Sequence, residues 1–393
     1  MEVAVLGAGY AGLPLARKLE RLLPDGVTLR LVDETGEHLI QHELHRLIRY
    51  PSLRDDLGIP LDDLVSRAEV IESRVTSVDE ERREVALSSG ERLQPDVLAI
   101  CLGGVTGMDI IPGVAANADP LKRIDHASQI RSKFGSLSNG DRILVGGAGL
   151  AGIQVAGELA AARDEGDRDL EVIIIEQAPH VAPTFPTTFR HEVASALADA
   201  GITVRTNEMI ERVGPDGAIL ADGTHLTAEQ VVWTGGITGP DATANRRLPV
   251  RSDLRVTDRT FALGDAAQVV DDNGTRVPAA AQSAVRQAPV AAENIDRLVT
   301  AVLDDQQLVF EPRLSRYVHS APGWVVSIGD DAVAMLGDDV LRGRPARAVK
   351  ASITGKYLGS IGEIQRAMDA IATDIGWMSH RAPSDEWCGH RNQ

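Results

Sequence analysis

The stretch Gly7–Ala16 reads GAGYAGLPLA and directly follows the apolar run Val3–Leu6. The spacing Gly-x-Gly-x-x-Gly is weak evidence by itself, because turns and helix starts collect glycine for backbone reasons of their own. A helical pattern of leucines, a Pro-Asp-Gly turn and the predicted strand Val27–Val32 come next, and this strand ends at Asp33. The sequence around the three glycines therefore predicts a complete β-turn-α-β unit.

Asp33 and the three glycines have the spacing of a dinucleotide site. Asp33 lies 21 positions after Gly12, close to the spacing at which an acid that ends the second strand accepts hydrogen bonds from an adenosine ribose. The N-terminus of the helix between them would face a pyrophosphate. In this interpretation Gly7 makes the tight turn, Gly9 lets phosphates approach the backbone, and Gly12 lets helix and strand pack closely.

The same pattern recurs in the run Ile143–Ala160, ILVGGAGLAGIQVAGELA. Its motif glycines each lie 140 positions after their counterparts, at Gly147, Gly149 and Gly152. The next apolar run, LEVIIIE, ends at Glu176, which lies 24 positions after the last of these glycines. Two complete units in one chain are hard to obtain by chance, so the sequence predicts two bound dinucleotides.

A second duplication accompanies the first. The segments Val75–Gly104 and Ile210–Gly236 each have the pattern of a small antiparallel sheet followed by an apolar strand. Each strand ends in a pair of glycines, which lets backbone approach a ligand closely. These pairs are Gly103-Gly104 and Gly235-Gly236. The predicted fold class is α/β, with two doubly wound Rossmann-like dinucleotide-binding domains, one inserted in the other, and a small α+β C-terminal region.

Composition limits the class of protein. The 393 residues are enough for two or three domains, and 43% hydrophobic residues are typical of a soluble globular protein. The formal net charge of -17 makes nucleic acid a poor partner. Adaptation to high salt and GC-rich codon bias both explain this acidity, and both stay open. No apolar run approaches the roughly 18 residues of a membrane span, so the sequence predicts a cytoplasmic protein.

Cysteines and histidines are too sparse for a redox disulfide or a metal site. Neither Cys101 nor Cys388 belongs to a Cys-x-x-Cys pair, so electron transfer would need a bound cofactor. His38, His42 and His45 have helical spacing, but no cysteine or further ligand cluster accompanies them. The sequence accordingly predicts no metal site.

The run Val256–Gln268, VTDRTFALGDAAQ, predicts a short strand, the pair Gly264-Asp265 and alanines that open a helix. Together with the two glycine motifs, it resembles the two-dinucleotide flavoproteins of the pyridine nucleotide-disulfide reductase superfamily over most of residues 1–300. The resemblance implies FAD at the first motif and at Gly264-Asp265, and NAD(P)H at the inserted second motif. It assigns the adenosine ribose of FAD to Asp33 and the ribityl chain to Asp265.

The resemblance gives each cofactor a set of contacts. The implied FAD contacts are Gly7, Gly9, Gly12, Asp33, Gly103, Gly264, Asp265 and Gln282. The implied contacts of the nicotinamide dinucleotide are Gly147, Gly149, Gly152, Gln154, Glu176 and Gly235. An acid at position 176 accepts hydrogen bonds from a 2′-hydroxyl but repels a 2′-phosphate, so the sequence favours NADH over NADPH.

The domain boundaries follow from the same patterns. Residues 1–112 and 241–305 are expected to form the FAD domain, and residues 113–240 the inserted NADH domain. Residues 306–393 are expected to form an interface or a membrane-associating region.

Within the superfamily, the chain resembles type II NADH dehydrogenases, single-chain FAD enzymes that reduce quinone at a membrane surface. Three runs carry this resemblance: Leu29–Leu47, Ala279–Gln287 and Val325–Gly337. The second run, AAAQSAVRQ, is similar to the quinone-site helix Ala-Gln-x-Ala-x-Gln-Gln. The resemblance therefore makes Gln282 and Gln287 candidate quinone contacts.

Two residues depart from the type II pattern. Arg286 replaces one glutamine of the quinone-site helix, and Gln154 replaces a glutamate after the second glycine motif. These departures leave the electron acceptor open between a quinone and another acceptor, such as a ferredoxin-like protein or a sulfur species. A third function, binding of FAD and NADH as a redox sensor or regulatory module, also stays open. Sulfide:quinone reductases resemble the scaffold too, but they need cysteines near the flavin that Cys101 and Cys388 do not supply.

The C-terminal region begins with two predicted strands, WVVSIG and AVAML, and ends in a predicted helix with one apolar stripe. The stripe consists of Ile361, Ile364, Met368, Ile371, Ile375 and Met378. Its opposite face carries three acids and one base, which argues against simple attraction to anionic lipid. The resemblance instead implies a C-terminus that lies on the membrane. Packing on the body of the protein, contact across a homodimer and peripheral attachment to the inner face of the cell membrane all stay open.

Overall fold

The computed structural model describes residues 1–304 and 312–374. The backbone forms two compact units. The first comprises Met1–Ile40, Gly58–Val105 and Ile237–Ala321, and the second comprises Gln41–Leu57, Thr106–Gly236 and the described part of Pro322–Gln393. Each unit contains one of the two glycine motifs and a parallel sheet of its own.

Short strands and a few long helices make up the described residues. The strands are β1 Glu2–Leu6, β2 Thr28–Asp33, β3 Glu37–Leu39, β4 Gly58–Pro60, β5 Glu69–Glu72, β6 Val75–Asp79, β7 Glu84–Leu87, β8 Arg92–Leu93, β9 Val97–Ile100, β10 Val105–Thr106, β11 Arg142–Gly146, β12 Glu171–Glu176, β13 Thr203–Thr206, β14 Ile210–Gly214, β15 Gly217–Leu220, β16 His225–Thr227, β17 Gln230–Trp233, β18 Ile237–Thr238, β19 Leu248–Val250, β20 Thr260–Ala262, β21 Ala267–Val269, β22 Gly323–Ile328, β23 Asp331–Leu336 and β24 Asp339–Arg342. The α-helices are α1 Gly12–Leu22, α2 Arg54–Leu57, α3 Leu61–Leu64, α4 Val114–Asn117, α5 Ile124–Ser136, α6 Leu150–Glu165, α7 Thr187–Asp199, α8 Ala281–Leu303, α9 Arg344–Ser360 and α10 Ile364–Asp374. Short 3₁₀ helices span Gln41–Ile48, Pro51–Leu53, Asp241–Thr243 and Gly264–Ala266.

The first unit is built on a five-stranded parallel sheet in the order β20-β9-β1-β2-β5. Residues Val3–Leu6 and Val97–Ile100 in its central strands are fully buried, which explains why both read as continuous apolar runs. Helix α1 connects β1 to β2 and buries its leucines at positions 13, 15 and 19 against the sheet. The predicted β-turn-α-β unit is confirmed.

A three-stranded antiparallel sheet, β6-β7-β8, precedes β9 in the chain and confirms the first predicted insert. The alanines after Gly264-Asp265 do not open a helix, and this part of the prediction was wrong. Gly264–Ala266 is a single 3₁₀ turn, after which β21 pairs in parallel with β19. The pairing gives the backbone of β21 hydrogen-bond partners and so overrides the helix propensity of alanine. The helix, α8, begins only at Ala281 and packs against α1.

The second unit repeats the arrangement with a four-stranded parallel sheet in the order β13-β12-β11-β17. Helix α6 connects β11 to β12, and the antiparallel sheet β14-β15-β16 precedes β17. Both predicted duplications are therefore present. The two parallel sheets confirm the predicted fold class of two Rossmann-like domains.

The described part of the C-terminal chain adds an antiparallel sheet, β22-β23-β24, and the helices α9 and α10 to the second unit. Strands β22 and β23 confirm the two predicted strands, whereas α9 was not predicted. Strand β22 lies so close to α6 that a Cβ on Gly157 would be 2.6 Å from the Cα of Ile328. No helix in the described ranges is long and apolar enough to cross a bilayer.

The predicted apolar stripe does not lie on one helix, because Ile361 lies between α9 and α10. Ile361 is buried, whereas Ile364 is 67% exposed and Met368 is 60% exposed. Helix α10 packs against α9 and buries Ala367 instead. Packing on the body of the protein therefore covers only one of the three stripe side chains that are described. The side chain of Ile371 and the residues Ile375, Met378 and Cys388 lie outside the described part of the chain.

Candidate dinucleotide sites

The first glycine turn connects β1 to α1 at the carboxyl end of the parallel sheet in the first unit. Gly7 has φ +90°, and a Cβ there would lie 2.5 Å from the carbonyl oxygen of Cys101. A Cβ on Gly12 would lie 1.8 Å from the carbonyl oxygen of Gly7, so neither position admits a larger residue. A Cβ on Gly9 would meet nothing within 4 Å. The first and third glycines thus serve packing, and the second leaves open space beside the backbone.

Two side chains hold the residue at the centre of this turn. The Oδ2 of Asp33 accepts a hydrogen bond from the backbone N–H of Ala8 at 2.8 Å. His38 is fully buried, and its Nδ1–H donates to the carbonyl oxygen of Ala8 at 2.7 Å. The ring of Tyr10 packs edge-on against that imidazole. His38 therefore supports the glycine turn and does not belong to a metal-binding face.

The second element of the first site is the turn at Gly264. Its φ is +65°, and a Cβ there would lie 3.0 Å from the Cβ of Ala11 and 3.3 Å from that of Ala284. The N–H of Gly264 donates to the Oε1 of Gln287 at 2.8 Å, and Gln287 is only 1% exposed. Gln287 is thus committed to this turn, which argues against its expected contact with an electron acceptor.

Arg247 holds the backbone that follows Gly264. Its Nε donates to the carbonyl oxygen of Asp265 at 2.8 Å, and its Nη2 donates to that of Ala267 at 2.6 Å. Burial lowers the pKa of Arg247, and the neighbouring Asp265 opposes that shift. These two hydrogen bonds fix the backbone that carries the side chain of Asp265. No motif in the sequence marks Arg247, because its role depends on where the chain before β19 passes.

Several groups of the first unit have the chemistry to hold a flavin dinucleotide. Ser283 is 1% exposed, and its Oγ has no hydrogen-bond partner among the described residues. The N-cap of α8 is Ala280, whose methyl group cannot cap the helix, so the first N–H groups are available to a ligand oxygen or phosphate. Gly9 leaves room for such a group beside α1. The residues present therefore fit FAD.

The second glycine turn, between β11 and α6, repeats the geometry of the first. Gly147 has φ +99°, and a Cβ on Gly152 would lie 2.0 Å from the carbonyl oxygen of Gly147. A Cβ on Gly149 would meet nothing within 4 Å. The corresponding glycines of the two motifs therefore have corresponding roles: the first and third shape the turn, and the second leaves open space.

Glu176 plays the part in the second unit that Asp33 plays in the first. Its Oε2 accepts a hydrogen bond from the N–H of Ala148 at 2.8 Å, and its Oε1 accepts one from the N–H of Ala178, also at 2.8 Å. Glu176 is only 8% exposed. Each acid therefore fixes the glycine turn of its own unit.

Gly103, after β9, and Gly235, after β17, differ in role. Gly103 has φ +71°, and a Cβ there would meet nothing within 4 Å. A Cβ on Gly235 would lie 2.7 Å from Cζ2 of Trp233. The Trp233 indole N–H in turn donates to the carbonyl oxygen of Gly107 at 3.2 Å. Gly103 thus leaves space for a ligand, whereas Gly235 accommodates a protein side chain.

Gln154 joins a short polar chain within the second unit. Its Nε2 donates to the Oγ of Ser327 at 3.4 Å, and that Oγ lies 2.9 Å from the Nε2 of His45. Burial, reinforced by the charge of Lys350, lowers the pKa of His45 well below its usual value. His45 is therefore neutral at physiological pH, and Ser327 can donate to it. This arrangement leaves the Oε1 of Gln154 as an acceptor.

A buried cluster of charges lies where the 3₁₀ helix Gln41–Ile48 meets α6 and α9. The Nζ of Lys350 lies 2.9 Å from the Oε2 of Glu43, and both side chains are at least nine-tenths buried. Burial alone would raise the pKa of Glu43, but the charge of Lys350, supported by His42 and Arg46, outweighs it and holds the pKa below the usual value. Sequence reasoning missed this pair because 307 positions separate its members.

Glu158 forms the second centre of the cluster. It is 2% exposed, its Oε2 lies 3.4 Å from Nη1 of Arg49, and its Oε1 lies 3.9 Å from the Nε2 of His45. Burial raises the pKa of Glu158 to about 7, although Arg49 opposes the shift. Arg49 also forms ion pairs with Glu165 on α6 and with Asp330, which lies between β22 and β23. Among the described residues no cluster has the composition of a metal site.

Glu158 predicts a pH-dependent stability. Because its folded-state pKa is raised from 4.5 to about 7, the folded protein binds this proton more tightly than the unfolded chain does. The stabilisation is complete below pH 4.5 and is lost as the pH rises through about 7. We expect Glu158→Gln to remove a component with a slope of up to about 1.4 kcal/mol per pH unit. Urea unfolding between about pH 5 and 8 measures it, and identical slopes in variant and wild type would contradict the assignment.

Two parallel sheets, each with a glycine turn and an acid that holds it, define a fold of the dinucleotide-binding class. The chain belongs to the pyridine nucleotide-disulphide oxidoreductase family, whose profile matches residues 1–288. Membership implies binding of FAD and of NAD(P)H, and it confirms the resemblance inferred from the glycine motifs and Gly264-Asp265.

Relatives and solved structures narrow the comparison. The chain is 26% identical to the type II NADH:quinone oxidoreductase of Staphylococcus aureus strain MSSA476, over 92% of this chain and 96% of that protein. Its fold is similar to that of NDH2 from Plasmodium falciparum in complex with NADH, with a TM-score of 0.79, 16% identity, and coverage of 98% and 99% of the two chains. It is also similar to the sulfide:quinone oxidoreductase of Aquifex aeolicus, with a TM-score of 0.75, 19% identity, and coverage of 95% and 92%. At these identities the structural likeness establishes the fold alone.

Proposed function

We propose that this protein oxidises NADH through FAD and passes the electrons to a quinone. One observation carries the proposal: both units contain a glycine turn with a first glycine at positive φ, a third glycine that admits no Cβ, an open second glycine, and the same acid-to-amide hydrogen bond. A chain with two such turns can bind two dinucleotides. The distant similarity to a type II NADH:quinone oxidoreductase supports quinone as the acceptor.

The first unit is the proposed FAD site. The open space at Gly9 and the N-terminus of α1 receive the pyrophosphate, and Asp33 accepts a hydrogen bond from the adenosine ribose. Asp265, on a backbone fixed by Gln287 and Arg247, accepts hydrogen bonds from the ribityl hydroxyls. When bound, FAD supplies a ring that accepts a hydride and returns the electrons to an acceptor.

The second unit is the proposed NADH site. Gly149 and the N-terminus of α6 receive its pyrophosphate, and Glu176 accepts a hydrogen bond from the 2′-hydroxyl of its ribose. The carboxylate of Glu176 would repel a 2′-phosphate, which favours NADH over NADPH. Gln154 offers its free Oε1 to the amide of the nicotinamide. Hydride transfer needs no protein acid or base, so the role of these residues is positioning.

The two glutamines of α8 have separate roles in this proposal. Gln287 positions the Gly264 turn, whereas Gln282 is half-buried and makes no hydrogen bond to any other described residue. Its amide is thus free to donate to a quinone carbonyl.

Membrane association is part of the proposal. The exposed side chains of Ile353, Ile364 and Met368 on α9 and α10 give the C-terminal helices an apolar surface. Such side chains enter the interfacial layer of a bilayer. Contact with a second copy of the chain would cover the same side chains, and vesicle flotation separates the two alternatives.

The test is the visible spectrum of the purified holoprotein under anaerobic NADH, followed by a soluble quinone. Bleaching of the flavin band by NADH and its rapid return on quinone addition is the expected result. Bleaching without rapid return would reject the quinone and favour a different acceptor or a sensing role. A protein that cannot be loaded with FAD would reject the proposal as a whole.

We expect Glu176→Gln to reduce the preference for NADH over NADPH by about tenfold, because it removes one negative charge from a buried position beside the 2′-oxygen. Glutamine retains one acceptor oxygen, so one of the two backbone hydrogen bonds persists. The ratio of kcat/KM for NADH and NADPH measures the effect. An unchanged ratio in a folded variant would argue against the ribose assignment.

We expect Gln287→Leu to lower the affinity for FAD and to destabilise the protein by about 1–3 kcal/mol, because the buried N–H of Gly264 loses its acceptor. Gln282→Leu is the matched control on the same helix, since it removes an amide that makes no internal bond. Flavin content after purification and the midpoint of urea unfolding measure both effects. Equal flavin retention in the two variants would contradict the separate roles.

A further inference from the structure

Gln282 and Arg286 share one face of α8. They lie four positions apart, so their side chains are neighbours on the helix surface. Ser283 and Gln287 occupy the adjacent, buried face. Whatever contacts Gln282 from outside the helix therefore also meets the exposed guanidinium of Arg286.

One exposed hydrogen bond orients the guanidinium of Arg286. Its Nη1 donates to the Oγ of Ser320 at 2.8 Å. The segment that carries Ser320 runs alongside α8, because the Asn294 side chain both accepts from the N–H of Ser315 at 2.7 Å and donates to its carbonyl oxygen at 2.9 Å. A guanidinium oriented in this way loses less freedom on binding an anion than a freely rotating one does.

Among residues 1–304 and 312–374, Arg286 has no counter-ion. Within the described residues no carboxylate forms an ion pair with it. The neighbouring Asp271 is ionised, and its oxygens already accept hydrogen bonds from the backbone N–H groups of Asn273, Thr275 and His319. Burial lowers the pKa of His319 and raises that of Tyr317, so neither ring carries a charge near neutral pH.

An unpaired cation at this position is notable because the whole chain carries a formal charge of -17. Such a surface repels small anions at long range, and a local guanidinium offsets that repulsion only within about a Debye length, roughly 8 Å. A neutral acceptor gains little from this cation. An acceptor with a negative group gains a charge-assisted hydrogen bond in addition to its contact with Gln282.

We infer that the electron acceptor carries an oxyanion, a carboxylate or a sulfonate, that binds Arg286 while the redox ring lies beside Gln282. The inference rests on the proposed function and specifies the class of its substrate. The oxyanion takes no part in bond making. NADH and one proton from solvent supply the two electrons and two hydrogens that convert the quinone to its hydroquinone.

The test compares a matched pair of acceptors, 1,2-naphthoquinone-4-sulfonate and 1,2-naphthoquinone, with the holoenzyme. The kcat/KM for the sulfonated quinone, divided by that for the unsulfonated one, is expected to be about fivefold lower in Arg286→Gln than in the wild type. This difference between variant and wild type is expected to shrink at high salt. Arg297→Gln removes the same charge from an exposed position of the same helix and serves as the control. A ratio that falls equally in both variants would reduce the effect to long-range charge and overturn the inference, as would an unchanged ratio in Arg286→Gln.

A second measurement separates this inference from the proposed function. The sulfonate is titrated into the oxidised holoenzyme, and its Kd is read from the change in flavin absorbance. If neither quinone is reduced but Arg286→Gln still weakens sulfonate binding about fivefold, the quinone reductase proposal fails and the anion site stands. If both quinones are reduced and neither the kcat/KM ratio nor the sulfonate Kd responds to Arg286, the proposed function stands and the anion site fails.

Discussion

Replacing Gly9 by alanine is expected to leave the protein folded but to weaken FAD binding about 10- to 100-fold. The backbone at Gly9 is outside the left-handed region, and a Cβ there would touch no protein atom. The added methyl would instead occupy the space assigned to the pyrophosphate, where overpacking costs about 1–3 kcal/mol. Gly149→Ala is the matched change in the second unit, and we expect it to weaken NADH by a similar factor while flavin content stays normal.

Flavin content after purification, reconstitution with FAD, and the KM for NADH measure these effects. Gly12→Ala is the contrasting control, because its Cβ would lie 1.8 Å from the carbonyl oxygen of Gly7 and the turn could not form. If Gly9→Ala retained native flavin affinity, the phosphate would not pass over this glycine. If either open glycine affected both cofactors equally, the assignment of one cofactor to each unit would be wrong.

Replacing Lys350 by methionine is expected to destabilise the second unit by about 3 kcal/mol, because it leaves the buried carboxylate of Glu43 without its closest cation. Arg46 lies 3.3 Å from the same carboxylate and compensates only in part. Since the folded-state pKa of Glu43 is depressed, its contribution to stability is present above pH 4.5 and is lost as the pH falls below that value. The variant should therefore lose part of its acid sensitivity along with its stability.

The double variant Glu43→Leu with Lys350→Met is the matched control. Removing both charges leaves no uncompensated ion, so we expect it to recover most of the lost free energy of unfolding. Urea unfolding of the wild type, the two single variants and the double variant completes the cycle. A loss below about 1 kcal/mol in Lys350→Met, or a double variant as unstable as the single one, would show that the pair contributes little.

The glycine turns were predictable because their constraints are local. A tight turn between strand and helix restricts φ at the first glycine and space at the third, and these restrictions appear directly as residue identities at Gly7, Gly12, Gly147 and Gly152. The positions of Asp33 and Glu176 were predictable for a similar reason, since each acid ends the strand that follows the helix of its glycine turn. Their hydrogen bonds to the turns were not predicted, and their contacts with a ribose stay predictions.

The supporting residues were not predictable from sequence. Gln287 and Arg247 act through contacts with backbone atoms that lie 23 and 18 positions away, and nothing local distinguishes them from other polar residues. The helical spacing of the three histidines does not reflect one helix: His38 lies on β3 and supports a turn, whereas His42 and His45 lie on a 3₁₀ helix in the other unit. Helical spacing places side chains on one face only if all of them belong to the same helix.

The hydrogen bonds from Asp33 to Ala8 and from Glu176 to Ala148 also bear on how fast the protein takes up its ligands. Each bond fixes the centre of its loop through groups of the protein alone, so the loop need not be ordered at the moment of encounter. Association of NADH should then proceed in one kinetic phase, with an observed rate that rises linearly with NADH concentration. We therefore expect Asp33 and Glu176 to keep both glycine turns ordered before a nucleotide binds.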